Sequence, residues 1–331
     1  MKPLYISKEE VAQCLPMKIC IALMEEAFNA LVNAHALQPL RSIMWLPDKT
    51  GLLGMMPAFS ADKKMMGIKL ISVFPGNKKF GYPSHQGAVL LFETVYGQLL
   101  SIVDADEITA IRTAAVSGLA TKLLARDVAS TLAILGSGVQ ASQHVEAMLS
   151  VRKINSIKIW SRDHSNAKEL AVQISKKHNT TAIAVTDAKD AVEDADIICT
   201  TTASPTPVLF GEWIKKGAHI NAVGSSTPNT RELDTAAITN SKLFTDKYES
   251  IYSEAGDFII PKKEGVINDD HVKGELGEVM KGVKRGREDN DEITVFKSLG
   301  LAIEDIYAAD HVYKTIIQKN NIKNDSGKPI T

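Results

Sequence analysis

Gly136-Ser137-Gly138-Val139-Gln140-Ala141 is the stretch of this 331-residue chain whose residue types point most directly to a chemistry. It follows the apolar run Thr131–Leu135 and opens a helix-patterned segment, Val139–Leu149. In that setting a Gly-x-Gly-x-x-Ala turn cradles a pyrophosphate. Gly136 permits the tight turn, Gly138 lets the backbone approach the phosphates, and Ala141 lets helix pack closely on strand. The helix N-terminus adds N–H donors and the positive end of its dipole. We therefore assign Gly136, Ser137, Gly138, Val139 and Gln140 to dinucleotide binding. The next strand ends at Trp160-Ser161-Arg162. A carboxylate there would accept from the ribose 2′-hydroxyl of NAD, whereas Ser161 and Arg162 suit the 2′-phosphate of NADP. NADPH is the expected cofactor; Asp163, one residue on, keeps NADH open as the alternative.

Three cations upstream sit among apolar residues. Arg41 alternates with Ile43 and Trp45, and Lys69 with Ile71 and Val73. Arg112 lies four residues beyond Ile108 on a helical stripe. Buried cations are costly unless paired. Each alone reads as a snorkelling side chain or half of an ion pair. Together they predict an anion pocket, in which two guanidinium groups and an ammonium would hold a small carboxylate. Removing Arg112 should weaken substrate binding and leave the fold intact.

The elements that must carry these residues follow from periodicity. Lys18–Val32 reads as an amphipathic helix and Asp106–Leu124 as a long one, with Asp104 or Asp106 as its N-cap. Pro39–Leu46, Gly67–Phe74 and Ala88–Thr94 read as strands. From Ser130 onward, short apolar runs alternate with helical segments: 131–135, 157–161, 181–186, 196–201, 219–223 and 242–246. Runs apolar on both faces, alternating with helices, predict a doubly wound parallel sheet, an α/β Rossmann domain. The expected organisation is a substrate-binding and dimerisation α+β domain over 1–126, a Rossmann domain over 127–304, and a C-terminal segment 305–331. The polar end, Lys319–Thr331, should fray.

Composition narrows the class. Hydrophobic residues make up 44% and charged residues 23%, so a packed core is expected. Lys plus Arg number 38 and Asp plus Glu 39, a balance of 38 − 39 = −1, which disfavours nucleic acid as partner. The uncharged stretch Val128–Val145 is broken by the glycine turn, and no membrane span is expected. Three cysteines without a paired spacing fit a reducing, cytoplasmic setting. The eight histidines form no ligand spacing, so no metal is expected. Gly-Ser-Gly at 136–138 is not a hydrolase elbow. Lys281, Lys284, Arg285 and Arg287 read as a solvated basic face, and Met55, Met56, Met65 and Met66 as core filler.

Taken together, several segments resemble the ornithine cyclodeaminase/mu-crystallin family over nearly the whole chain. They are Gly51-Leu-Leu-Gly-Met-Met-Pro57, Gly67-Ile-Lys-Leu70, Ile108-Thr-Ala-Ile-Arg-Thr-Ala114, the glycine turn, Asn221-Ala-Val-Gly224, Arg231-Glu-Leu-Asp234 and Ile293-Thr-Val-Phe-Lys-Ser-Leu-Gly300. The resemblance implies a Rossmann domain plus a substrate domain that forms a homodimer, with the C-terminal helix returning to the latter. It implies that Arg41, Lys69 and Arg112 bind the substrate carboxylate. Thr202, Ala203 and Ser204, which follow the fourth strand, should border the nicotinamide side, and Val223 and Gly224 complete the expected cofactor-binding residues. Cyclodeaminases of the family carry a Glu before the Met-Pro segment, and cyclodeaminases and alanine dehydrogenases an Asp after the glycine of the fifth strand. The matching positions here are Gly54 and Ser226, as in the ketimine-reducing branch.

The resulting expectation is NAD(P)H-dependent reduction of a cyclic imino acid, Δ1-pyrroline-2-carboxylate to L-proline or piperideine-2-carboxylate to L-pipecolate. Lys69, Ser226 or a water could handle the proton, and the sequence does not choose among them. The alternatives are an ornithine cyclodeaminase or alanine dehydrogenase, with Glu232 or Asp234 as the acid, and a crystallin-like NADPH-dependent ligand binder.

Overall fold

Seven strands of the first sheet are laid down before the long helix: β1 (Leu4–Ile6), β2 (Ala36–Leu37), β3 (Ser42–Trp45), β4 (Leu52–Ser60), β5 (Met65–Val73), β6 (His85–Glu93) and β7 (Leu99–Asp104). In the computed structural model, which describes residues 2–326, they run in the order β1-β7-β6-β5-β4-β2, with β3 also on β4. Pairing is antiparallel except for β1 on β7. Helices α1 (Lys8–Cys14) and α2 (Met17–Val32) follow β1, and α3 (Ala105–Leu124) follows β7. Asp104 caps α3 by accepting from the Glu107 N–H at 2.9 Å.

Four of these strands, β1, β2, β4 and β7, are not apparent from periodicity. β4 contains Gly54 and Pro57, which read as breakers. Its pairing explains why proline is tolerated. Pro57 faces Ile68 of β5, while on the other edge β3 pairs with residues 52–55 and β2 with 59–60. Pro57 falls in the gap, where a missing N–H breaks no ladder. β3 is shorter than the expected Pro39–Leu46. It starts after Arg41, and Ile43, Met44 and Trp45 are exposed, so Arg41 has no buried strand face around it.

The second sheet has eight strands, all parallel: β8 (Thr131–Leu135), β9 (Ser156–Trp160), β10 (Ala182–Ala184), β11 (Ile197–Thr200), β12 (His219–Ala222), β13 (Lys242–Thr245), β14 (Val272–Glu275) and β15 (Thr294–Lys297). Their order is β10-β9-β8-β11-β12-β15-β13-β14. The six expected runs are the first six strands. β14 and β15 escape a search for apolar runs because charged Lys273, Glu275 and Lys297 interrupt them. The helices between strands are α4 (Val139–Val151), α5 (His164–His178), α6 (Ala188–Val192), α7 (Thr235–Thr239), α8 (Tyr248–Glu254), α9 (Gly256–Lys263) and α10 (Leu276–Met280). The chain closes with α11 (Ala302–Ser326). Lys319–Ser326 therefore continues a helix rather than fraying; residues 327–331 lie outside the described residues.

Two compact units result: the chain up to Arg112 together with the part from Leu301 onward, and Thr113–Gly300. The boundaries differ from those expected at 126/127 and 304/305. The second half of α3 is bonded into the parallel-sheet unit: Ser117 Oγ lies 2.9 Å from His144 Nε2, and Thr121 Oγ1 accepts from Asn221 Nδ2 at 2.9 Å. Arg287, expected on a solvated face, donates to the carbonyls of Leu124 and Ala218 and to Thr294 Oγ1.

His144 and His219 are fully buried in this unit. Burial lowers the His144 pKa to about 4 and that of His219 to about 3, the latter helped by Arg287. Both are below the unfolded value of about 6.5, so the unfolded chain binds more protons in the interval between. Stability should be full above pH ~6.5 and fall on acidification, by up to about 1.4 kcal/mol per pH unit for each ring. Urea midpoints measured from pH 7.5 to 5 test this, and His144→Gln should flatten the slope; a midpoint that does not move contradicts it.

Candidate active site

Lys69 lies in the middle of β5, opposite Met56 of β4 and Val89 of β6, so all three share one face of the sheet. Helix α11 packs over that face. Its first turn is held by the Gln38 side chain, which accepts from the Ile303 N–H at 2.9 Å, and by a 3.0 Å contact between Tyr307 Oη and Ser60 Oγ. This seating brings Glu304 and Asp305 against the two expected cations. Asp305 Oδ2 is 2.9 Å from Lys69 Nζ, and its Oδ1 accepts from Arg112 Nε at 2.9 Å. Glu304 Oε2 accepts from Arg112 Nη1 at 2.7 Å. Thr109 Oγ1 accepts from Lys69 at 3.4 Å. Lys69 is 3% exposed and Arg112 4%, and both carboxylates are fully buried, so neither sign could sit here alone.

Structure thus changes the expected trio of cations into a charge-balanced pair of pairs. Arg41, half-buried just ahead of β3, adds a further positive charge near enough to act on Lys69. Burial, reinforced by Arg112 and Arg41 and opposed by Asp305, lowers the Lys69 pKa to about 8. Burial also works against the Arg112 charge, but Asp305 and Glu304 outweigh it and hold the guanidinium above its usual value. Gly54 lies on the same sheet face, opposite Ile71; a Cβ there would meet Ile71 Cγ2 at 3.2 Å. A carboxylate at position 54 would therefore project beside the cations, and none is present.

In the parallel-sheet unit, the expected dinucleotide residues directly follow the carboxyl ends of β8, β9, β11 and β12. Gly136 has φ +127°, and a Cβ would meet Thr201 Oγ1 at 2.6 Å, so only glycine makes this turn. Gly138 is the N-cap of α4, supplies no side-chain cap, and has no atom within 4 Å of a built Cβ. This open, glycine-lined helix start fits a pyrophosphate. Val139 and Gln140 form the first turn of α4. Ser137 Oγ donates to Ser161 Oγ at 2.9 Å, tying the phosphate turn to the end of β9. Arg162 is exposed beside it. Asp163 caps α5 by accepting from the Ser165 N–H and hydroxyl.

Thr202, Ala203 and Ser204 follow β11, and Val223 and Gly224 follow β12. Ser226 is exposed in the loop beyond. The two acids considered as alternatives are both engaged elsewhere. Asp234 caps α7 and accepts from the Gly211 N–H. Glu232 accepts four hydrogen bonds inside the protein, from Thr200, Thr202 and Gly224. Among the described residues, no group of His, Cys, Asp and Glu could hold a metal ion, and no helix is long and apolar enough to cross a membrane.

The model of the ornithine cyclodeaminase/mu-crystallin family matches residues 1–320. The chain belongs to that family. Its relatives include a Δ1-pyrroline-2-carboxylate reductase of Bacillus cereus, 37% identical over 96% of this chain and 97% of that one. Mouse ketimine reductase mu-crystallin is 38% identical over 94% of this chain and 96% of its own. Among solved structures, Thermococcus litoralis Δ1-pyrroline-2-carboxylate reductase in complex with NADH and L-proline superposes with a TM-score of 0.94 at 39% identity. It covers 96% of this chain and 98% of that one.

For this family member, sequence reasoning found the cations and missed their partners. A signal was present: Glu304 and Asp305 interrupt Leu301–Ala309, where every residue is buried. Two acids in such a run need partners of opposite sign. The same test applied to β15 would have found Lys297.

The expectation that the fold survives loss of Arg112 is accordingly corrected. Arg112→Ala would leave Glu304 with no guanidinium and Asp305 with Lys69 alone. The expected cost is about 3–5 kcal/mol of stability, read by urea denaturation. A loss below about 1 kcal/mol, as for an exposed pair, would show that the network does not hold the charges as described.

Proposed function

We propose that this chain is an NAD(P)H-dependent reductase of a cyclic imino acid, converting Δ1-pyrroline-2-carboxylate to L-proline, with piperideine-2-carboxylate as a related substrate. The observation that carries the reading is a cation set kept in place on the sheet face of Gly54, a position that offers no carboxylate; Ser226, the other position the resemblance singles out, offers a hydroxyl in place of one. Oxidising an open-chain α-amine and closing a ring on it calls for a group that manages ammonium protons. A preformed ring imine makes no such demand and needs its carboxylate anchored. The named activities of the Bacillus and mouse relatives, and the NADH and L-proline bound to the Thermococcus protein, support the same reading.

When bound, the nicotinamide supplies hydride to the imine carbon. The chain's own residues do the rest. Arg41 and Arg112 bind the substrate carboxylate, Arg112 through N–H groups beyond the two used by Asp305 and Glu304. Lys69 Nζ holds the proton destined for the ring nitrogen, and Asp305 keeps Nζ charged and aimed. Ser226, the other candidate, is a neutral exposed hydroxyl that is less suited to this role. Ser161 and Arg162 favour NADPH, with NADH accepted more weakly.

We also propose that the protein is a homodimer of the cytoplasm. The face of the first sheet opposite Lys69 carries Pro57, Phe59, Ile68 and Phe92, which line an open apolar depression with Met66. A second copy fits this surface better than water does. The buried, unpaired Cys14, Cys20 and Cys199 suit a reducing compartment.

The deciding assay follows NADPH oxidation with pyrroline-2-carboxylate, beside ammonia release from L-ornithine and a parallel run with NADH. Imine reduction with NADPH preferred is expected. Ammonia release without imine reduction would overturn the reading, and cofactor fluorescence quenching without turnover would favour a ligand binder. The pH profile tests Lys69 separately. Its charged form is needed, so kcat/KM should fall as pH rises through about 8. Asp305→Asn should move that limb to lower pH, because Nζ loses the partner that favours its charge. A limb unmoved by this change would remove Lys69 as the proton carrier.

A further inference from the structure

Beneath the loops that follow β11 and β12 lies a chain of three buried ionisable groups that the proposed chemistry does not use. Glu232 is fully buried, and both of its oxygens are occupied. Oε1 accepts from the Thr202 N–H at 2.6 Å and the Thr202 hydroxyl at 2.7 Å. Oε2 accepts from the Thr200 hydroxyl at 2.7 Å and the Gly224 N–H at 2.6 Å. One carboxylate thus takes donors from the end of β11, from the loop after it and from the loop after β12. The Thr202 hydroxyl also accepts from the Ser204 N–H at 3.1 Å, which carries the connection one residue further.

Glu232 is itself held from below. Asp257 Oδ1 accepts from the backbone N–H groups of Glu232 and Leu233, each at 2.9 Å. Asp257 Oδ2 is 3.0 Å from Lys297 Nζ, which donates to the carbonyls of Ala222 at 3.2 Å and Ser225 at 2.5 Å. Lys297 and Asp257 are 1% exposed or less. The two loops are packed so closely that a Cβ on Gly224 would lie 2.1 Å from the Thr202 carbonyl oxygen and 2.6 Å from Glu232 Oε1. A carboxylate buried with charge-assisted bonds to four donors is a rigid fixture. Here it fixes Thr202 and Gly224 relative to each other.

We propose that Glu232, supported by Asp257 and Lys297, is a positioning residue for the nicotinamide end of the cofactor. It sets the spacing of the Thr202–Ser204 and Val223–Gly224 loops, and none of its hydrogen bonds reaches the phosphate turn at Gly136–Gly138. The proposal rests on the reading that this edge of the sheet binds NADPH with its nicotinamide against those loops. It accounts for three buried ionisable groups, one lysine and two acids, in a place where a purely structural core would favour apolar residues.

The test compares two probes on each protein by calorimetry: NADPH, and 2′-phospho-ADP-ribose, which keeps the adenine, the pyrophosphate and the 2′-phosphate but lacks the nicotinamide. The wild type should bind NADPH more tightly than the fragment. Glu232→Ala should weaken NADPH by about 10-fold or more, one to two hydrogen bonds' worth, and change the fragment's affinity by less than about 2-fold. Should Glu232→Ala fail to fold, Thr200→Val removes one donor to the carboxylate at nearly constant shape. It should show the same selectivity at about 3-fold or more, since one of the four donors to the carboxylate is lost. Equal losses for both probes, or no loss for either, would overturn the positioning role. A wild type that binds neither probe would overturn the cofactor reading and this proposal with it.

Discussion

Charge buried out of water has to be matched locally, and the first unit is organised around that requirement. Lys69 comes from a strand in the middle of a sheet, Arg112 from the end of the chain's first 112 residues, and Glu304 and Asp305 from the start of α11. No two of these elements adjoin in sequence. They meet because an ammonium or guanidinium at a few per cent exposure is tolerable only with carboxylates at hydrogen-bond distance. The return of α11 to the first sheet therefore follows from electrostatics as well as from its apolar face. Gln38 and Tyr307, which fix the helix at its first turns, become part of the site's construction although neither carries charge.

The same balance sets the chemistry available. Two cations neutralised by two anions do not form a strong anion trap, and Arg41 adds a third positive charge near Lys69. Arg112, with two carboxylates, is committed to its charge; Lys69, with one shared carboxylate and two cations nearby, has a pKa brought to about 8. Neighbouring side chains of one network thereby differ in how firmly each holds its charge. The difference arises from residue type, a guanidinium holding its proton more firmly than an ammonium, and from the count of partners at each nitrogen, since both cations are equally buried.

The parallel-sheet unit solves a comparable problem with backbone groups. Its phosphate turn relies on a positive φ at Gly136 and open space at Gly138, both properties of glycine itself. The loops after β11 and β12 have no such intrinsic shape. They are joined through Glu232, whose carboxylate accepts from N–H and hydroxyl donors of both. One sheet edge thus combines a locally encoded turn with loops that depend on a buried ion network.

What could be read without the structure was whatever local pattern encodes. The glycine turn in its strand-to-helix setting, the alternation of apolar runs and helices, the long helix with Asp104 as cap, and the three cations among apolar residues are properties of short windows. β14 and β15 were invisible because charged residues break their runs, and β4 because its proline is harmless only where a neighbouring strand is missing, a fact of pairing. The partners of Arg112 lie 192 and 193 positions away, and that of Lys69 lies 305 − 69 = 236 positions away, and no periodicity links them. The helix between the sheets could be found, but not its division at Arg112, since that depends on which contacts its second half makes. Residue types and local spacing determined the class of fold and the kinds of group present; tertiary structure decided which charges neutralise each other, because that pairing follows from distance and burial rather than order along the chain.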